Sequence, residues 1–201
     1  VLLRDSDPAA FTIERVAAIA EVAPATVYNL VGTREQMLVS LIERLMSTLT
    51  REVATQQQMA PDDPIGTARV IVDASVNVLV SDSAAYRRVV GLLRDPSLSG
   101  RLTHFDPAQL QVAAVQRAMQ QEIVDPSLDA HAIGRQIYVG YTGALSLWAA
   151  GVLSDDGFRL ATRHSLLVVL AAAATAGHRP AFLREMADLG RALTDAGWTA
   201  H

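Results

Sequence analysis

Apolar residues recur along most of this chain at intervals of three and four, the spacing of one helical face. Residues 12–38, TIERVAAIAEVAPATVYNLVGTREQML, predict a short helix, a tight turn, a second short helix, another turn and the start of a long helix. Thr12 caps the first helix with its hydroxyl. Val16, Ala17, Ile19 and Ala20 give it one apolar face. Glu21-Val22-Ala23 forms the bend, with Val22 expected to plug the angle between the crossing helices. Pro24 suits the first position of the second helix, where its missing N–H costs nothing. In that helix Val27, Leu30 and Val31 are expected inside, and Ala25, Thr26, Tyr28 and Asn29 outside. Gly32 ends it in a left-handed conformation. Thr33 and Gln36 form a capping box for the long helix, whose inner stripe is Met37, Leu38, Leu41, Ile42 and Leu45.

Beyond Met59 the pattern breaks at Ala60-Pro61-Asp62-Asp63-Pro64. Residues 65–80 resume it, and Ser81-Asp82-Ser83 caps a further helix holding Tyr86, Val89, Val90, Leu92 and Leu93. Asp95-Pro96-Ser97 stops that one, and a loop runs through His104-Phe105. Asp106-Pro107 with Gln109 starts another, carrying Leu110, Val112, Val115, Met119 and Ile123. Asp125-Pro126 ends it and Asp129 caps the next.

Two stretches, 136–154 and 164–178, carry no charge and are separated by Ser154-Asp155-Asp156-Gly157, which suits a helix–helix turn. The first is near the roughly 20 residues that span a bilayer. Gly140, Tyr141, Thr142, Gly143, Ser146 and the shortness of the second stretch weigh against a membrane hairpin. A helix apolar all round needs burial on several sides. Small residues Gly140, Gly143, Ala144, Ala149, Ala150 and Gly151 allow close helix approach. Together these predict a homodimer, with helices near 130–153 and 157–177 forming an intersubunit four-helix bundle about a two-fold axis.

Half of the 201 residues are hydrophobic and turn clusters are few, which favours an all-α fold. There is no Cys, so thiol and disulfide chemistry are excluded, and no secretory signal pattern occurs; a cytoplasmic location is expected. Every basic side chain among the Lys and Arg is Arg. The net charge of −4 argues against indiscriminate nucleic-acid binding. In residues 1–50, Arg4, Arg15, Arg34 and Arg44 face Asp5, Asp7, Glu14, Glu21, Glu35 and Glu43, an acidic balance where phosphate contact favours a basic one. Val1-Leu2-Leu3-Arg4 reads as the last turn of a helix whose beginning precedes the sequence, with Asp5-Ser6-Asp7-Pro8 as the turn after it.

Two short helices around a tight turn, the second showing small polar side chains, make a helix-turn-helix. The run VAAIAEVAPATVYNLVGTREQML resembles the signature of the TetR family of bacterial transcriptional regulators, matching it at Val16-Ala17, Ala20, Val22, Pro24, Thr26, Val27, Tyr28, Glu35 and Leu38. It departs at Glu21, where Gly is usual, at Ala23, where a capping Ser or Thr is usual, at Val31 for Phe and at Arg34 for Lys. The resemblance implies a helix-turn-helix DNA-binding domain over 1–45, its first helix truncated. A larger helical effector-binding and dimerisation domain over 46–201 would follow.

On that reading a two-fold dimer sets two recognition helices one DNA turn apart over a palindromic operator in double-stranded DNA. Ala25, Thr26 and Asn29 face base edges, Asn29 being able to pair with adenine. Thr12, Tyr28, Thr33 and Arg34 contact phosphates, although Thr12 and Thr33 are caps in any case. The family's cavity for a small effector would be lined by Tyr86, His104, Phe105, Met119, Tyr138, Tyr141, Thr142 and Trp148, any of which also suits an ordinary core. Scarce charge there favours an apolar or aromatic ligand, whose binding releases the operator. Repression is the family's usual mode.

The rival classes are an enzyme and a helical ligand-binding or dimerisation protein with a vestigial DNA-binding head. The chain has no Glu-x-x-His pair, no His-Glu-x-x-His, no Gly-rich phosphate loop and no Gly-x-Ser-x-Gly turn. Its His residues, at 104, 131, 164, 178 and 201, never stand three or four apart. Neither an enzyme, a metal nor a cofactor is therefore expected. The acidic balance of the first fifty residues is the feature that favours the vestigial head.

Overall fold

The computed structural model describes residues 12–92 and 106–195. Among them are nine α-helices and no strand beyond an isolated bridge, so the fold class is all-α. In chain order they are α1 (Ile13–Ile19), α2 (Pro24–Val31), α3 (Arg34–Met59), α4 (Pro64–Val80), α5 (Ser83–Leu92), α6 (Ala108–Gln120), α7 (Ala130–Ala149), α8 (Asp155–Ala173) and α9 (Arg179–Asp195). The turn expected at Asp5-Ser6-Asp7-Pro8, the stop at Asp95-Pro96-Ser97 and Leu93 lie outside the described residues. So do the side chains of Ile19, Val31, Met37, Leu38, Leu41, Ile42 and Leu45. α3 runs unbroken across the domain boundary expected after residue 45.

Local chemistry accounts for most helix ends. Asp63 caps α4 by accepting from the Gly66 N–H at 2.7 Å, with Pro64 in the first turn. Asp129 caps α7 through the N–H groups of His131 and Ala132, as expected. Ser154 caps α8 by accepting from the Gly157 N–H at 3.0 Å. Asp155, Asp156 and Gly157 are thus the first turn of α8 rather than an inter-helix turn, with the two acids at the positive end of the helix dipole. The chain reverses over 150–154, where Gly151 takes φ 78°.

α6 is shorter than the periodicity suggested. It stops at Gln120, Glu122 takes φ 56°, and Ile123 lies beyond the helix. There Val124 pairs with Ala174, the Asp125 N–H donating to the Ala173 carbonyl at 2.9 Å and the Thr175 N–H to the Ile123 carbonyl at 3.0 Å. This stitch ties the α6–α7 link to the end of α8. Arg179 completes the corner by donating to the Ala171 and Ala174 carbonyls, a cation at the negative end of α8.

α4 packs against α3, α6 and α8, while α6, α7, α8 and α9 each pack against the next. Trp148, Phe158, Ile137, Leu166, Leu167 and Leu170 are among the side chains fully enclosed there. Burying each such side chain stabilises the fold by about 1.5–3 kcal/mol. Glycines set two helix approaches: a Cβ on Gly134 would lie 2.7 Å from the Val112 backbone nitrogen, and one on Gly140 1.9 Å from Ser165 Oγ. Ion pairs span the surface between elements, Arg163 holding both oxygens of Asp73 at 2.7 and 2.8 Å and Arg69 reaching Glu185 at 2.5 Å. These pairs are partly exposed and worth about 0–1 kcal/mol each. No single described helix is long and apolar enough to cross a membrane; α4 and α5 reach that length and hydropathy only together, across a bend of 104°.

Candidate nucleic-acid interface

α1 and α2 pack against each other across a turn at residues 20–23. The sharpness of this turn comes from Glu21, which takes φ 55°, a conformation suited to glycine. Ala17 and Val27 close the angle between the two helices, at 1% and 5% exposure. Val22 is not the plug the sequence suggested: it is 41% exposed, because the positive φ of Glu21 turns the chain outward just before it. Ala20 is exposed as well. Leu30, expected inside, is 78% exposed. On an eight-residue helix whose contact line runs through Val27, residue 30 sits some 60° off that line.

Ala25 and Asn29 fall on the side of α2 opposite Val27, Thr26 stands on the flank next to Asn29, and all three are exposed. Tyr28 flanks that face, its ring 54% exposed. α2 itself carries no charged residue. Ala23 begins it with extended backbone and no side-chain cap, as its sequence implied. Gly32 ends it at φ 77° and ψ −147°, a positive-φ region open only to glycine rather than the left-handed helical one expected. The same glycine leaves room for Gln36, whose Oε1 would lie 1.9 Å from an added Cβ.

Thr33 and Gln36 close the expected capping box, Gln36 Oε1 accepting from the Thr33 N–H at 2.7 Å and Thr33 Oγ1 from the Gln36 N–H at 3.3 Å. The Thr12 carbonyl accepts the first α1 bond from Val16, and its side chain bonds the Glu14 carboxylate. A hydrogen bond from its own backbone N–H, then the one with Thr12, holds Glu14 below the usual carboxylate range. The start of α1 therefore already faces a carboxylate. The side chain of Arg34 lies outside the described set. Between α2 and α3 runs an open groove of about 600 Å³, lined by Tyr28, Asn29, Leu30, Gly32, Gln36, Val39, Ser40 and Glu43.

The residues expected to line an effector cavity separate into different roles. His104 and Phe105 lie outside the described residues. Trp148 is fully buried, stacked on Phe158 at 5.0 Å between centroids, with its N–H donated to Asp155 Oδ1 at 2.8 Å; its polar tip is engaged in structure. Met119 and Tyr86 do not converge. Met119 ends α6 beside Gln121, which reaches the Asp62 carbonyl before α4, whereas Tyr86 belongs to α5 beyond the far end of α4, a helix of about 25 Å. Tyr138, Tyr141 and Thr142 do cluster, half-buried within little more than one turn of α7. Burial raises the Tyr141 phenol above its usual range, against a hydrogen bond with Ser75, and burial with the nearby Asp106 charge raises Tyr138. Among the described residues no group of three or more His, Asp or Glu is placed to hold a metal ion.

Two features escaped the sequence reading. α9 was not anticipated, although Phe182, Met186, Leu189 and Leu193 repeat at the helical interval and pack on the core. The polar clasp joining Ser83 and Arg87 of α5 to Asp155 was likewise unforeseen, since it links residues some 70 positions apart. No protein-family model matches the chain, and no curated protein or solved structure was found to be significantly similar to it.

Proposed function

We propose that this chain is a sequence-specific DNA-binding transcriptional regulator, acting as a homodimer on a palindromic operator and repressing it. The observation that carries the reading is the outward side of α2, where Ala25, Thr26 and Asn29 stand exposed while Val27 is packed, with Tyr28 on the other flank. A short helix held by its back, with small polar residues on its front, fits a major groove. The resemblance of this segment to the TetR signature supports the same use. A second support is an apolar stripe left exposed on α7 and α8, formed by Val139, Gly143 and Leu147 with Val168 and Ala172. Paired with its own copy about a two-fold axis, such a stripe forms the four-helix contact that spaces two α2 helices over successive grooves. On this reading the place for a small apolar or aromatic effector is near Tyr138, Tyr141 and Thr142, the subset of the expected residues that clusters.

The test is fluorescence anisotropy of the full chain against DNA flanking its own gene, over a range of salt. Salt-dependent binding that competitor DNA does not abolish, and that Tyr28→Ala or Asn29→Ala weakens, supports the reading. The acidic exposed Glu14, Glu21 and Glu43 near the head favour instead a helical dimerisation protein with a vestigial head. Absence of binding at low salt would favour that alternative.

A further inference from the structure

We infer that α2 reads a short core of A·T base pairs in each half-site, with Asn29 on an adenine and the methyl groups of Ala25 and Thr26 on thymine. This inference rests on the DNA-binding reading and adds to it the class of base sequence recognised.

The warrant is the chemical inventory of the exposed face. Each base presents a distinct edge in the major groove, and each edge favours a different side chain, although the hydroxyl of Ser or Thr serves several. Guanine offers two acceptors and is read by a cationic donor, Arg or Lys; cytosine offers an amino donor and is read by Asp or Glu. α2, PATVYNLV, contains neither a cation nor a carboxylate. Its one side-chain amide is Asn29, which can accept from adenine N6 and donate to N7 in a bidentate pair. Thymine is distinguished by its methyl group, which calls for apolar contact, and Ala25 and Thr26 present methyl groups on the same face as Asn29.

Geometry limits how far this reading extends. Ala25 and Asn29 are four residues apart, a rise of about 6 Å, so their contacts span only a few neighbouring base pairs. Adenine and thymine positions therefore lie within two or three adjacent base pairs. Leu30, exposed on the flank, adds a second apolar surface at that end of the helix and no donor for guanine.

The experiment is selection from a randomised, two-fold symmetric duplex pool with the full chain, followed by binding to modified sites. The expected result is A·T at two or three adjacent positions placed symmetrically in each half-site. Replacing thymine by uracil at those positions removes the methyl group and weakens binding about fourfold per contact. Replacing the paired adenine by 7-deazaadenine removes N7 and weakens the wild type about tenfold, while Asn29→Ala, already weaker, no longer senses that change. Asn29 is exposed, so the variant keeps its fold, which a circular-dichroism melt checks. Tight, salt-dependent selection of sites with G·C at those positions, or equal sensitivity to 7-deazaadenine in Asn29→Ala, overturns the A·T inference and leaves DNA binding standing. No enrichment and no binding at low salt overturns both.

Discussion

The indole N–H of Trp148 donates to Oδ1 of Asp155 across the α7–α8 turn at 2.8 Å, and the same carboxylate holds α5. Arg87 donates to that oxygen at 3.1 Å and Ser83 to Oδ2 at 2.5 Å, while the Arg87 guanidinium lies 4.8 Å from the Trp148 ring centroid. One acid therefore joins the start of α8, the end of α7 and the start of α5. Burial pushes the Asp155 carboxyl up, but the bonds from Ser83, Trp148 and Arg87 and the Arg87 charge outweigh it and leave the group below its usual value.

Removing this acid should leave the buried indole N–H unpaired. Asp155→Ala is expected to cost about 2 kcal/mol, within the range for an orphaned buried donor. A red shift of Trp148 emission, read in a Trp198→Phe background, reports the loosened ring. The pH dependence has a defined sign. A carboxyl whose folded pKa is depressed contributes stability that is complete above its unfolded value, about 3.9, and that is lost as pH falls towards the lower folded value. Wild type should therefore lose stability below about pH 4 more steeply than Asp155→Asn, in denaturant melts at matched ionic strength. Equal acid slopes would show that the clasp adds nothing.

The α1–α2 turn carries two local costs that substitution can remove. Glu21 at φ 55° bears about 1–2 kcal/mol of strain that glycine lacks, against about 0.4–1 kcal/mol of added chain entropy in the unfolded state. The strain is the larger quantity, so Glu21→Gly is expected to stabilise the head by up to about 1 kcal/mol. Ala23 has extended backbone and no side-chain cap, so Ala23→Ser should add about 1 kcal/mol. Hydrogen exchange of α2 amides measures both; faster exchange in either variant contradicts the account.

These two positions also show what the sequence could reveal. Glu21 and Ala23 both proved to be places where backbone conformation favours something the side chain does not give, a positive φ at the one and an uncapped helix start at the other. Caps at Thr33 and Asp129 were legible because each acts within three residues of itself, whereas Ser154, read as part of a turn, proved to cap α8. Leu30 and Val22 were misjudged for the opposite reason. Leu30 sits on a helix of eight residues, whose buried contact line is narrower than its apolar stripe and is placed only by its partner, while Val22 lies in the turn just after Glu21 at positive φ. In the larger part the helices followed from periodicity, whereas the role of Trp148 depended on Asp155 and Arg87 meeting it in space. α9 was readable in Phe182, Met186, Leu189 and Leu193, which repeat at the helical interval and pack on the core.

Gly134 offers a sharp packing test. A Cβ there would meet the Val112 nitrogen at 2.7 Å and its Cα at 2.8 Å, backbone atoms that no rotamer change can move aside. Gly134→Ala must force α6 and α7 apart, and a destabilisation of about 2–3 kcal/mol is expected despite the better helix propensity of alanine, worth only about 1 kcal/mol. Thermal melts of the two proteins decide it, and an unchanged midpoint would refute the close approach.

Gly143 stands on the same helix, is exposed, and has nothing within 4 Å of the position a Cβ would take. Within one subunit Gly143→Ala should be neutral or stabilising by up to about 1 kcal/mol. If the stripe of Val139, Gly143, Leu147, Val168 and Ala172 pairs with its own copy, Gly143→Arg sets a charge and its symmetry mate into an apolar contact. The expected outcome is a halved mass in sedimentation equilibrium with helical content retained. DNA affinity should fall with it, because one α2 can then engage only one half-site. Gly143→Ala should remain dimeric and serves as the control. A dimeric Gly143→Arg would place the pairing surface elsewhere on the molecule, and a monomeric wild type would remove the two-fold spacing on which reading a palindrome depends.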